Sequence, residues 1–145
     1  MNKYILSAVL LLFAAGTYSC KKHKNPPKVP PPQWKVDTSG KYPASMTAVV
    51  RIPDYLMQHG QPGDQLGAFI NGECRGIGKL IKLDAGDVYF VLIIGEAAEQ
   101  DKVSFSYYSA YSSYMYGTSP FLDFTMDGNY GTADHPEKLA LTPGK

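Results

Sequence analysis

The chain has 145 residues, room for one domain of ordinary size. Hydrophobic residues make up 44% and charged residues 19%, a globular balance that excludes a wholly disordered chain. Beyond Gln33, nine basic residues stand against thirteen acidic ones. No basic stripe remains there to neutralise phosphates, and nucleic acid is not expected as a partner.

In chain order, Asn2 and Lys3 precede the apolar run "YILSAVLLLFAAG", which ends at Gly16. A membrane-spanning helix needs about 20 apolar residues, so the run is too short to cross and reads as the core of a secretory signal over residues 1–19. Cys20 comes directly after a patch of small residues. That arrangement resembles the signal of bacterial lipoproteins. The resemblance implies that Cys20 is acylated, with palmitate among its chains, and becomes the first residue of a cell-envelope protein at the outer membrane. The alternative is a plain signal with a chance cysteine. One acyl chain gives marginal anchoring at about 0.8 kcal/mol per buried methylene. The two or three chains that the resemblance implies give permanent attachment.

Residues 20–33 follow as a tether. "KKHKNPPKVPPP" has five prolines and four lysines, and the prolines exclude helix and ladder bonds. Twelve extended residues reach roughly 37 Å at about 3.1 Å each. Lys21, Lys22 and Lys24 lie next to Cys20, where anionic headgroups attract each by about 1 kcal/mol.

From Trp34 to Lys145 no stretch has a helical period, and eleven tyrosines in the chain favour strands. "YPASMTAVVRI" places Met46, Ala48, Val50 and Ile52 on one face. "DVYFVLIIG" is apolar on both faces, as for a strand covered twice. "KVSFSYYS" puts Val103, Phe105 and Tyr107 opposite Ser104, Ser106 and Tyr108. Shorter runs follow at "SSYMYG", "FLDFTM" and "KLALT", separated by turn residues. About eight short strands at this spacing predict an all-β, antiparallel β-sandwich over residues 34–145.

Within it, Asn71-Gly72 between apolar runs is a two-residue hairpin signal, because both positions require positive φ. The expected register pairs Ile70 with Glu73, Phe69 with Cys74, Ala68 with Arg75 and Gly67 with Gly76. Cys74 and Phe69 then share a face with Gly67, Gly76 and Gly78, which leave room for a large side chain such as Trp34 or Phe90. Cys74 reads as a small buried hydrophobe turned to the sandwich interior. Arg75 reads as structural, an ion pair with Glu73 or, if buried, a pin for a loop.

The words "YPASMTAVV", "DQLGAFINGECRGIGK", "YFVLIIG", "VSFSYYSA" and "GTADHPEKLAL" together resemble a small module of bacterial surface lipoproteins and secreted proteins. Its hairpin reads G-A-F…G-E-C-R-G, and the likeness runs from about Tyr42 to Leu141. The resemblance implies an immunoglobulin-like sandwich outside the cytoplasm, with Phe69, Asn71, Gly72, Cys74 and Arg75 as structural residues, and implies no activity. The acidic residues that some surface-exported lipoproteins carry after the lipid cysteine are replaced here by "KKHKN". Surface and periplasmic faces therefore both stay open.

Candidate chemistry is thin. Nothing around Cys74 lowers its thiol pKa, so it is not expected as a nucleophile. Acylation of Cys20 leaves Cys74 no partner for a disulfide within the mature chain. No metal and no cofactor are expected; Asp127, Asn129 and Asp134 in "DGNYGTAD" fit turn chemistry, with calcium as the alternative. The densest feature is "YYSAYSSYMYG". Tyr108, Tyr111, Tyr114 and Tyr116 amid serines match the composition of binding loops, or pair across strands. The expected function is a lipid-anchored, non-catalytic binding or adhesion module for a glycan or protein. Alternatives are a structural part of an envelope complex that adds a strand to a partner, and a small hydrolase.

Overall fold

The computed structural model describes residues 25–144. Residues 1–19, Cys20 and the first part of the tether lie outside the described residues.

Five strands carry most of the fold: β1 (Ala44–Arg51), β2 (Gln65–Ile70), β3 (Glu73–Ile81), β4 (Val88–Gly95) and β5 (Lys102–Ser109). Shorter ones follow: β6 (Tyr114–Gly117), β7 (Leu122–Asp123), β8 (Asn129–Tyr130), β9 (Glu137–Lys138) and β10 (Thr142–Pro143). A single helical turn, α1 (Asp54–Met57), lies between β1 and β2. The all-β expectation holds. The two-sheet, purely antiparallel arrangement does not: the strands form one continuous path, β10-β6-β5-β2-β3-β4-β1-β8, curled into a half-barrel. Strand β3 makes the curl. Its first half pairs with β2 and its second half, Gly78–Ile81, pairs with β4.

The period-2 alternation decides what the concave side buries. Met46, Ala48 and Val50 of β1 stand beside Tyr89, Val91 and Ile93 of β4. Leu66, Ala68 and Ile70 of β2 line up with Tyr107, Phe105 and Val103 of β5, all in the same core. Fully burying one such aliphatic or aromatic side chain contributes about 1.5–3 kcal/mol. The core face of β1 and β5 is the one that the alternation predicts. Strand β4 is not covered twice: Phe90 and Leu92 point to the convex side and are exposed.

The C-terminal segment closes the curl. Residues 128–139 run along β1 in the same direction, through β8 and β9, with hydrogen bonds from Thr47 N–H to Gly128 and from Leu139 N–H to Arg51. A few residues later β10 pairs with β6 at the opposite end of the sheet path. These parallel pairings are why the sheet is mixed. They cover β1, and the antiparallel β10 covers β6, so neither offers a long open edge.

An N-terminal strap crosses the convex side. The Val29 N–H donates to the Ser113 carbonyl (2.8 Å), so the proline-rich stretch docks five residues before the Trp34 boundary expected from composition. Trp34 sits in a notch over Gly67, where an added Cβ would lie 3.0 Å from its ring, and packs edge-on against Phe69 at 5.2 Å.

Two buried tyrosines tie stability to pH. Burial first, then the charge of Asp64, pushes the Tyr89 hydroxyl up to about 12. Burial first, then the hydrogen bond to Asp64, pushes Tyr107 up as well. An unfolded tyrosine titrates near 10. A folded pKa above the unfolded one stabilises fully below pH 10 and is lost as pH rises through the folded value. Alkaline titration should therefore show loss of fold between about pH 10 and 12, with the last phenolate absorbance appearing together with unfolding. A protein that stays folded while every tyrosine ionises near pH 10 contradicts this reading.

Candidate functional site

The hairpin turns where the sequence says. Asn71 and Gly72 both have positive φ, 49° and 76°. Ile70 pairs with Glu73 and Phe69 with Cys74, as expected. Beyond that the register slips: Ala68 pairs with Gly76 and Gly67 with Ile77, leaving Arg75 as the extra residue of a bulge. Gly76 permits this close approach, since a Cβ there would meet the Leu92 carbonyl at 2.5 Å.

Phe69 and Cys74 share a face, but it is the convex one. The concave core takes Leu66, Ala68 and Ile70 instead, because two large aliphatic side chains and a methyl outweigh one phenyl and a thiol. Cys74 is buried outside that core, and its Sγ–H donates to the Gly76 carbonyl at 3.6 Å. Burial pushes the thiol pKa up. A thiol reagent should label native Cys74 far more slowly than the unfolded chain. Loosening the strap with Trp34→Ala should speed labelling on the order of tenfold, equivalent to about 1.4 kcal/mol less local stability. Equal rates for native and unfolded protein would show the thiol to be open.

Arg75 is buried. Its guanidinium carbon lies 3.4 Å over the Tyr42 ring centre. One Nη sits 3.5 Å from Glu99 and 3.5 Å from the Ile94 carbonyl. Its Nε is 3.6 Å from Glu73, an ion pair without hydrogen-bond geometry. The Tyr42 hydroxyl donates to Glu73 and, with Arg75 and Lys41 nearby, holds that carboxyl below its usual range. These contacts pin the β4–β5 loop and the end of the strap, the loop-pinning role expected of a buried Arg75.

The four tyrosines do not form one surface. Tyr108 faces the convex side but is only 3% exposed. Tyr116 belongs to the core beside Tyr107, and Tyr114 packs against it. Only Tyr111 is open, at 62%, stacked on His59. Tyr108, Tyr114 and Tyr116 pair across β5 and β6 instead, the cross-strand alternative to a binding loop. Alternation from Tyr107 sends Tyr116 inward through the β5–β6 pairing, a constraint invisible without that register.

Among the described residues no three His, Cys, Asp or Glu side chains gather as a metal site. Asp127 and Gly128 form a turn whose N–H groups bond to Ser45 and Thr125 carbonyls, leading Asn129 into β8.

Cavities among the described residues remain to be placed. One of about 390 Å³ holds Asp64, Lys82, Asp87 and Tyr89. Asp64 there accepts from the Tyr107 hydroxyl (2.7 Å) and the N–H groups of Ala110 (2.8 Å) and Gln61 (2.8 Å). That carboxylate organises a loop. A second, about 330 Å³, lies beside Tyr55, His59 and Tyr111. A third, about 450 Å³, is a groove between the β6–β7 segment and the closing C-terminal segment. Phe121 and Tyr130 line it, with ring centres 5.9 Å apart at 65°, and Phe105 backs Phe121 at 6.1 Å. Thr118, Ser119, Thr142 and Lys138 add hydroxyls and an amine around the rings. The Thr118 hydroxyl also accepts the Phe105 N–H, which fixes that wall. Phe121 lies in the predicted run "FLDFTM" and Tyr130 in "DGNYGTAD", 9 residues apart; only the mixed sheet brings them together.

No family model, curated protein or solved structure matches the chain.

Proposed function

We propose that the protein is a lipid-anchored, non-catalytic binding module of the bacterial cell envelope, at the outer membrane, and that its ligand is a glycan seated in the Phe121–Tyr130 groove. The observation that carries this is the groove itself. Two angled aromatic rings give flat apolar faces for the C–H side of a sugar, and hydroxyls and an amine stand around them for its polar edge. The rings are held by the sheet and backed by Phe105, so little side-chain freedom is lost on binding. The signal run, Cys20 and the likeness of the G-A-F…G-E-C-R-G hairpin to surface-lipoprotein modules support the envelope assignment. Strand addition to a partner is less supported, since β8, β9 and β10 already cover β1 and β6.

A glycan array probed with wild type, Phe121→Ala, Tyr130→Ala and Tyr111→Ala tests the reading. Either groove variant should weaken binding about tenfold or more, the effect of losing about 1.4 kcal/mol of ring contact, while Tyr111→Ala binds as wild type. A wild type that binds no glycan, or groove variants that bind unchanged, would remove the proposal. Palmitate incorporation that persists in Cys20→Ala would remove Cys20 as the attachment site, and none in the wild type would remove the anchor.

A further inference from the structure

The cavity of about 390 Å³ shares no lining residue with the glycan groove. It opens between the β3–β4 hairpin and the loop that follows α1, and Leu80 and Tyr89, partners across that hairpin, form its sheet side. Met57, Pro62 and the exposed Leu80 give it apolar walls. Its polar groups are acceptors left unfilled. Asp87 is half-buried and makes no ion pair and no side-chain hydrogen bond among the described residues. Asp64 receives three donors, and a carboxylate has about four lone-pair sites, so one is left over. Tyr89 is 4% exposed, yet its hydroxyl forms no hydrogen bond of ordinary geometry among the described residues; Tyr107 beside it gives its own proton to Asp64. Such a hydroxyl is costly to bury unless something in the cavity bonds to it. Burial first, then the charge of Asp64, with a smaller contribution from Asp87, raises the Tyr89 pKa. Both carboxylates therefore act at the same point.

We propose that this cavity binds a small organic cation, a primary ammonium on an apolar body, held by Asp87, Asp64 and the Tyr89 oxygen. An ammonium carries three N–H donors on a compact head, and each of these three residues offers it an oxygen. The carbon chain then lies against Met57, Pro62 and Leu80. Calcium fits less well. It takes about six to eight oxygens, and two carboxylates, one already holding three donors, supply too few. An anion fits worse, since Lys82 is the one cation in the lining against two carboxylates. Lys82 is exposed and lies within ion-pair distance of neither Asp64 nor Asp87. Its ammonium competes from the rim without filling the site.

The test is an amide chemical-shift titration of the full chain in phosphatidylcholine nanodiscs, with n-butylammonium, n-butanol and butyrate as probes of matched length. The ammonium should saturate with a Kd of about 1 mM and shift Gln61, Asp64, Lys82 and Asp87. Butanol should bind about tenfold more weakly, and butyrate should not bind. Asp87→Asn should weaken the ammonium about tenfold, and Tyr89→Phe about threefold, the effects of losing a charged and a neutral acceptor. Lys82→Gln should strengthen it about twofold by removing the competing cation. Lys82 is exposed, so that variant keeps the fold and decides the matter even where Asp87→Asn or Tyr89→Phe does not fold. No saturation by about 10 mM, butanol binding as tightly, or shifts confined to other residues overturns the site. So does Asp87→Asn binding as wild type, or Lys82→Gln binding no tighter. Glycan binding at the Phe121–Tyr130 groove is read separately, and either site can fail alone.

Discussion

Arg75→Met should destabilise the domain by about 3 kcal/mol, the usual cost of leaving one partner of a buried ion pair uncompensated. The side chains of Arg75 and Glu99 are only 7% and 10% exposed. Methionine fills much of the same volume, so the loss is electrostatic more than a cavity. Glu99 is left without its cation, and Tyr42 loses the guanidinium stacked on it. Thermal unfolding should fall by roughly 12 °C at about 4 °C per kcal/mol for a domain of this size. Arg75→Lys should recover little, because an ammonium cannot stack on Tyr42 and reach Glu73 and Glu99 at once. Adding Glu99→Gln to Arg75→Met should restore part of the loss by removing the stranded charge. A melting point within 2–3 °C of wild type, less than about 1 kcal/mol, would show that Arg75 is an ordinary surface-pair residue.

The second large effect is expected at Gly131. Its φ is +74°, and an added Cβ would lie 2.4 Å from the Val49 carbonyl and 2.9 Å from the Glu137 nitrogen. Gly131→Ala should cost about 1–2 kcal/mol in backbone strain and a further 1–3 kcal/mol in displaced backbone. Gly72 is the control. Its φ is +76°, but nothing lies within 4 Å of an added Cβ, so Gly72→Ala should show the strain alone. Urea titrations of the two variants isolate the contribution of the close approach by difference. The displaced backbone is the segment that runs along β1 and then supplies Lys138, Ala140 and Thr142 to the groove. Glycan binding should therefore weaken in Gly131→Ala and not in Gly72→Ala. Equal stabilities for the two would mean that the C-terminal segment does not press on β1.

Much of the local structure was legible because it follows from alternation and turn chemistry. The inward rows of β1 and β5 and the Asn71-Gly72 reversal depend only on neighbouring residues. What was hidden depends on long-range choice. Both faces of β2 carry apolar residues, and only the competition between Leu66, Ala68, Ile70 and the Phe69–Cys74 pair decides which turns inward. The bulge at Arg75 leaves no local trace, since a one-residue slip alters pairing and not composition. The parallel entry of β8 and β9 beside β1 is likewise a matter of chain return. The groove was missed for the same reason: Phe121 and Tyr130 are ordinary within their own segments and become a site through the closure. The tyrosine-rich run is dense in aromatic rings, yet tertiary packing buries Tyr108 and Tyr116 and leaves only Tyr111 of the four open.

The proposed function stands or falls on whether the groove, and not the tyrosine-rich turn, holds the ligand. Amide chemical-shift mapping with the best-binding array glycan tests it most directly. The account predicts shifts concentrated at residues 117–122, Tyr130 and residues 138–142, with Tyr111 and Ser112 unmoved. Shifts confined to residues 109–114 and His59, with the groove silent, would contradict it.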